Sequence, residues 1–354
     1  MRILLVGNLG YIGPIVGAHL RRVLPDAHLT GLDSGWFAHC LTTTGSLPEL
    51  ALDEQRFADA RSLQPADFAG VDAVVQLAAV SNDPMGNRFE AVTDAINHRA
   101  AVSVARLAAA AGVRNYVFAS SCSVYGYSPD PRARTEQDEI NPLTAYARSK
   151  IATEQALEQA DLGDMVVTCL RFATACGMSP RLRLDLVLND FVAGALTSRE
   201  ISVLSDGTPW RPLIHVKDMA RAIEWGIRRP AATGGRFLKV NVGSDVWNYQ
   251  VAELAQAVSA AIPDTRVSIN KDAPPDKRSY RVDFGLFREL APQHQPLETL
   301  QSAVAGLRDG LQALGFADRD FRQSQLMRLK VLERHLAEGA LNEDLTWAKP
   351  RNAV

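Results

Sequence analysis

The chain has 354 residues, 47% hydrophobic and 22% charged, an ordinary globular composition with room for a dinucleotide-binding domain and a smaller companion. A formal net charge of -2 and a pI near 6.4 provide no field to draw nucleic acid or an anionic membrane, so neither is expected as a partner. Cys40, Cys122, Cys169 and Cys176 lack zinc-type spacing; no metal is expected, and free thiols suit a cytoplasmic location.

Met1–Val6 is too short for a signal peptide and is read as a buried first strand. Strands are then expected at Arg2–Val6, His28–Asp33, Val71–Ala79, Val113–Ser121, Met165–Phe172 and Phe237–Val242, because these are nearly continuous apolar runs. Pro14–Leu24, Phe89–Ala111 and Ala145–Ala160 carry helical spacing between them. Ala100–Val113 is alanine-rich, but Arg106 and its length exclude a membrane span. The alternation predicts an α/β fold with a doubly wound parallel sheet. Past Gly177 the sequence turns rich in Pro, Arg and Asp, which suggests a smaller α/β substrate-binding part. The expected division is 1–176 with 212–243 returning to it, then 177–211 and 244–320, then 321–354. In the last of these, Phe321–Leu341 is read as one amphipathic helix that caps the core or meets a partner.

Two motifs carry chemistry. Gly7-Asn8-Leu9-Gly10-Tyr11-Ile12-Gly13 follows the first strand and opens a helix, with Pro14 in its first turn. Glycines there permit a tight turn and let the backbone approach a pyrophosphate at the helix N-terminus. Asp33 lies about 20 residues beyond, where its carboxylate would accept the ribose hydroxyls and repel a 2′-phosphate, favouring NAD over NADP. Asp59, with Ala60 beside it, is either an acceptor for the adenine amine or a surface aspartate.

The second motif pairs Ser121, at the carboxyl end of the strand beginning near Val113, with Tyr146 and Lys150 at i, i+4 on one helix face. A neighbouring ammonium would lower the tyrosine pKa and make Tyr146 a general base. Ser121 would donate to the same substrate oxygen, and Lys150 would also hold the nicotinamide ribose. Taken singly, a strand-end serine is a common turn residue, and a Tyr and Lys at this spacing are usually surface residues.

With these pieces in order, together with Leu77-Ala78-Ala79, Asn97 and Trp210–Asp218, the chain resembles the extended short-chain dehydrogenase/reductase family, its NDP-sugar epimerase and dehydratase group. The resemblance implies a Rossmann-type fold, a bound NAD touched by Leu77, Ala78, Ala79 and Asn97, and nucleotide-diphosphate sugars as substrates. It implies that Arg211 meets the diphosphate, and it suggests a homodimer packed through the apolar helices Phe89–Ala111 and Ala145–Ala160. Arg181, Arg183, Asn189, Asp276 and Arg278 are further candidates for the nucleotide side, though each alone suits a solvated or ion-paired role. Ser81, Asn82, Ser123 and Thr174 are candidates for the sugar pocket.

One departure bears on the reaction. The 4,6-dehydratases of this group carry an Asp-Glu pair after the catalytic hydroxyl residue, and Cys122 and Ser123 stand there. A thiol and a hydroxyl replace a carboxylate pair poorly unless the thiol pKa is shifted. The expectation is therefore C4 epimerisation. The rivals are a keto-sugar reductase, a dehydratase using Cys122, and a non-catalytic NAD sensor that would not need the full Ser121, Tyr146 and Lys150 set.

Overall fold

The first strand, β1 (Arg2–Val6), is a run of Ile-Leu-Leu-Val buried after its first residue, and it lies inside a seven-stranded parallel sheet. The computed structural model describes residues 1–43, 45–127, 132–273 and 278–348. To one side of β1 lie β2 (His28–Asp33) and β3 (Glu54–Phe57). On its other side follow β4 (Ala73–Gln76), β5 (Asn115–Ser121), β6 (Val166–Phe172) and, at the edge, β10 (Phe237–Val242). The order reverses between β1 and β4, and ligands of open parallel sheets collect in the crevice at the carboxyl ends of the strands there. The sheet is of the Rossmann type, as expected from the alternation of strands and helices.

Helices cover both faces, which is why the inner strands are mostly apolar and do not alternate; the edge strand β3, Glu-Gln-Arg-Phe, is the exception. Helix Gly13–Val23 and helix Val216–Arg228 pack together on one side. Helices Ala101–Ala110 and Ala145–Gln159 pack on the other. Five short strands form two smaller sheets. β7 (Thr174–Cys176), β9 (Trp210–His215) and β11 (Asn248–Gln250) make one, and β8 (Glu200–Val203) with β12 (Arg266–Ile269) the other. Helices Val187–Ser198, Val251–Ala261 and Leu300–Ala313 pack against one another behind them.

Two expectations change, and the dimer expectation loses its argument from composition. Phe89–Ala111 is not one regular helix: after a turn at Phe89, a short α-helical turn Glu90–Thr93 runs into π-helical Asp94–Ala100, and then α-helix Ala101–Ala110. Such a wide turn marks a position where a side chain has a task other than packing, and Asn97 occupies it. The expected C-terminal helix Phe321–Leu341 is a single 3₁₀ turn at Phe321–Gln323, a helix only over Arg328–Ala337, and then a short hairpin closed by the bridge between Leu341 and Trp347. Finally, the outward faces of the two helices expected to dimerise carry Arg99, Ser103, Arg106, Arg148 and Gln155, while their apolar residues turn toward their own sheet. The apolarity behind the dimer expectation is thus explained within one chain.

Candidate active site

A groove of about 980 Å³ runs along the carboxyl edge of the sheet. Its floor begins where β1 meets the glycine loop. Gly7 takes φ +91°, a conformation costly for residues with a Cβ, and a Cβ there would stand 2.3 Å from the Ala78 nitrogen. That close approach lets the Val6 carbonyl accept from both Leu77 and Ala78 at 2.8 and 2.9 Å. Gly10 is different: its nearest potential neighbour is a backbone oxygen 3.6 Å away, so its missing side chain leaves free space at the start of helix Gly13–Val23. A pyrophosphate needs that space and the N–H groups that open the helix. Gly7, Gly10, Tyr11, Ile12, Gly13, Leu77, Ala78 and Ala79 all line the groove.

Asp33 ends β2 facing the same groove. Its carboxylate is fixed by N–H donors from Leu9 at 2.9 Å and Gly35 at 2.8 Å. Burial raises its pKa above the ordinary carboxylate value, and these two donors pull the other way. Each oxygen keeps lone pairs for ribose hydroxyls. Asp59 and Ala60 line the groove beyond it, with the Asp59 carboxylate forked by Arg61 at distances down to 2.6 Å. The residues present therefore fit an adenosine ribose and pyrophosphate laid from Asp33 to Gly10.

At the other end of the groove stand Ser121, Tyr146 and Lys150. Ser121 terminates β5, and its hydroxyl accepts from the Ser123 N–H at 3.1 Å. Thr144 caps the helix that carries the other two. Lys150 is buried, donates to the Ala119 carbonyl at 2.7 Å, and lies nearer the Phe118 ring than the Tyr146 ring, at 4.6 and 5.5 Å from the centroids. Burial drags its pKa down to about 7, against the opposing pull of Glu154. Tyr146 is pushed up to about 12 by burial, and a hydrogen bond with Ser121 is the main influence holding it down. In the structure without cofactor the groups that oppose this rise are Ser121 and, after it, Arg183. Behind the site, Glu154 accepts from Ser120 at 2.5 Å and from Arg171 at 2.6 Å, a fully buried pair that locks this helix to the ends of β5 and β6.

The groove also brings together Ser81, Asn82, Ser123, Thr174, Arg183, Arg211 and Arg278. Arg183 donates to the Ser81 hydroxyl at 2.8 Å and forks Asp185, whose carboxylate also accepts from Asn82 at 2.8 Å. The Ser123 hydroxyl is buried without a partner among the described residues, the kind of group a ligand satisfies. Asp83, Asp185 and Tyr280 line the groove and escaped sequence reading. The Asn82-Asp83-Pro84 helix start, which Asn82 caps at the Met85 N–H, was the one signal for the first.

Four candidates have other tasks. The Arg181 guanidinium is taken by Glu49 at 2.5 Å and the Ala38 carbonyl, out of reach of the groove. Asn189 is buried between the Gly177 N–H, the Tyr11 hydroxyl and the Arg183 carbonyl. Asn97 does not touch the groove; from the π-helical turn it holds both backbone groups of Val80 and so shapes the loop after β4. Cys122 is buried with its Sγ turned to the Arg171 carbonyl at 3.0 Å, and burial drives its pKa far above the usual thiol value. It is not part of the groove lining. Asp276 lies outside the described residues.

Comparison with known proteins places this geometry. A model of the family described as "NAD dependent epimerase/dehydratase family" matches residues 3–243. The chain is 29% identical over 323 residues to a UDP-glucose 4-epimerase of Mycolicibacterium smegmatis, covering 86% of this chain and 96% of that one. It is 31% identical over 121 residues to Protein CapI of Staphylococcus aureus, a match spanning 34% of this chain and only 36% of that protein. Among solved structures, TunA, described as an NAD dependent NDP-hexosamine 5,6-dehydratase of tunicamycin biosynthesis, superposes with a TM-score of 0.74 at 22% identity, over 90% of this chain and 99% of that one. That likeness shows a shared fold. Glycine loop, Asp33 and the groove they open into agree with the family match over two thirds of the sequence: the chain belongs to the NAD-dependent epimerase/dehydratase family, and NAD is its cofactor.

Proposed function

We propose that the protein is an NDP-sugar 4-epimerase in which Ser121, Tyr146 and Lys150 do the proton chemistry. NAD supplies a reversible hydride acceptor for the sugar carbon. Tyr146 takes the proton of the sugar hydroxyl as that carbon is oxidised, and the Ser121 hydroxyl donates to the same oxygen and keeps it in place. Lys150, pinned to Ala119 beneath the site, orients the tyrosine-bearing helix face and provides a donor for a ribose hydroxyl. The keto-sugar turns in the groove, and Tyr146 returns the proton as the hydride comes back to the other face. Ser81, Asn82, Ser123 and Thr174 suit the sugar, and Arg211 and Arg278 the diphosphate.

The observation that carries this reading is the orientation of Cys122. A dehydratase needs an acid and a base beside the keto-sugar, and the thiol that would have to serve is turned away, with its pKa raised. The carboxylates that do line this end, Asp83 and Asp185, are each held by an arginine and a second donor. The similarity to a UDP-glucose 4-epimerase supports a UDP-sugar as the first substrate to try. Incubation of the purified protein with UDP-glucose and UDP-N-acetylglucosamine, with products resolved by proton NMR, tests the proposal; appearance of the 4-epimer supports it, and an unsaturated sugar or dependence on added NADH overturns it. A homodimer through the two helices is proposed on the resemblance alone, and light scattering that gives a monomer mass at micromolar concentration overturns that. No helix among the described residues is long and apolar enough to cross a membrane.

A further inference from the structure

We propose that the C-terminal segment, residues 321–348, is a clasp built over the adenosine end of the NAD site and sets how slowly the cofactor leaves. The segment is not a simple cap on the core. Arg322, Met327 and Arg328 line the groove itself; Arg328 stacks on Phe37, and Arg322 forks Asp190 of helix Val187–Ser198. Beyond them the chain runs back as helix Arg328–Ala337 and the hairpin bridged from Leu341 to Trp347. Helix and hairpin together reach the two loops that flank the place of the adenine ribose. Trp347 donates its indole N–H to the Ser34 carbonyl at 2.5 Å, His335 meets the Trp36 carbonyl at 3.2 Å, and Arg61 donates to the Asp344 carbonyl at 2.8 Å. Arg61 is the residue that forks Asp59, so one guanidinium ties the loop after β3 to the tail. Ser34 directly follows Asp33, so the other anchor is one residue from the proposed ribose acceptor.

Packing supports a docked segment. Leu332, Leu341 and Leu345 are buried with Trp36, Val80 and Met85 in an apolar cluster separate from the main core. Leu345 keeps φ +60°, a left-handed conformation unfavourable for a leucine, while its side chain is completely buried. Surroundings that hold a leucine there must fix the turn firmly. Arg328 is buried beneath, its guanidinium 5.0 Å from the Phe37 ring centroid and donating to the Arg181 and Leu182 carbonyls. Arg181, a sequence candidate for the diphosphate, thus helps hold the floor of the clasp. The Trp36 indole N–H has no partner among the described residues, although the ring is only 6% exposed and lines the groove. A hydroxyl of the cofactor's ribose would satisfy it.

Two variants test the clasp: a chain ending at Gly339, and full-length Leu345→Ala. Release of NADH is followed by its fluorescence after mixing the loaded protein with excess NAD, and the KM for the nucleotide sugar is measured alongside. The clasp predicts NADH release faster by about tenfold or more in both, the scale of one lost hydrogen bond with its packing, and an unchanged KM for the sugar nucleotide. Release at the wild-type rate from the shortened chain overturns it. Should the shortened chain not fold, Leu345→Ala with a native circular dichroism spectrum and the wild-type release rate overturns it equally.

Discussion

The Lys150 ammonium donates to the Ala119 carbonyl at 2.7 Å, within the sheet edge and not toward Tyr146. Burial there lowers its pKa from 10.5 to about 7, so the folded cofactor-free protein binds fewer protons at this site than the unfolded chain between those two values. Stability must then rise with pH across that window, because the unfolded state is the one that holds the extra proton. Wild-type protein without NAD is expected to gain stability between pH 7 and about 10 relative to Lys150→Met. Urea unfolding of both at several pH values measures it; parallel pH dependences would contradict the assignment.

Ser121 is the main group that opposes the rise of the Tyr146 pKa toward 12, ahead of Arg183. Removing it with Ser121→Ala raises that pKa further, so the acidic limb of kcat against pH should move to higher pH. Tyr146→Phe should keep the fold and the cofactor and lose on the order of a hundredfold or more in turnover. A Tyr146→Phe variant with wild-type turnover on the true substrate would remove the tyrosine from the reaction.

Asp33 is held by two backbone donors in the orientation that suits ribose hydroxyls and opposes a 2′-phosphate. Asp33→Ala is expected to weaken NAD binding and to narrow the preference over NADP, both read by calorimetry. Equal or tighter binding of NADP by the wild type would show that the carboxylate does not discriminate.

Cys122 faces the Arg171 carbonyl and lines no part of the groove. Cys122→Ala should therefore keep wild-type KM and turnover within a few-fold, with a stability cost of about 1 kcal/mol for the lost thiol packing and weak hydrogen bond. A loss of turnover comparable to that of Tyr146→Phe would put the thiol into the chemistry and revive the dehydratase reading.

How far these residues could be read beforehand follows from the kind of signal each gives. β1, β2, β6 and β10 are buried on both faces, so an apolar run suffices to place them. β3, Glu-Gln-Arg-Phe at the sheet edge, is half exposed and has no such run, so it stayed hidden. The π-helical turn at Asn97 was invisible because its cause is the backbone of Val80, reached only in the fold. In the site, the glycine loop and the Tyr146–Lys150 pair were legible because short-range spacing sets their geometry, and Asp33 and Ser121 because each ends an apolar strand. Arg181 and Asn189 were misread because a cation or amide in sequence does not disclose its partner; Glu49 and Tyr11 come from remote segments. Trp36 and Tyr280 enter the groove from loops and Asp83 from the first turn of helix Asp83–Arg88, places where no periodicity marks a side chain as inward.

The measurement closest to the central claim is turnover of the nucleotide sugar in heavy water without added NADH. Epimerisation by Tyr146 and Ser121 moves one hydride off the sugar and back, and the carboxylates at this end among the described residues, Asp83 and Asp185, are each held by an arginine. The account predicts a 4-epimer free of carbon-bound deuterium, formed with no net consumption of reduced cofactor. Deuterium at C5 would contradict it in favour of elimination chemistry, and product formed only in proportion to added NADH would contradict it in favour of a reductase.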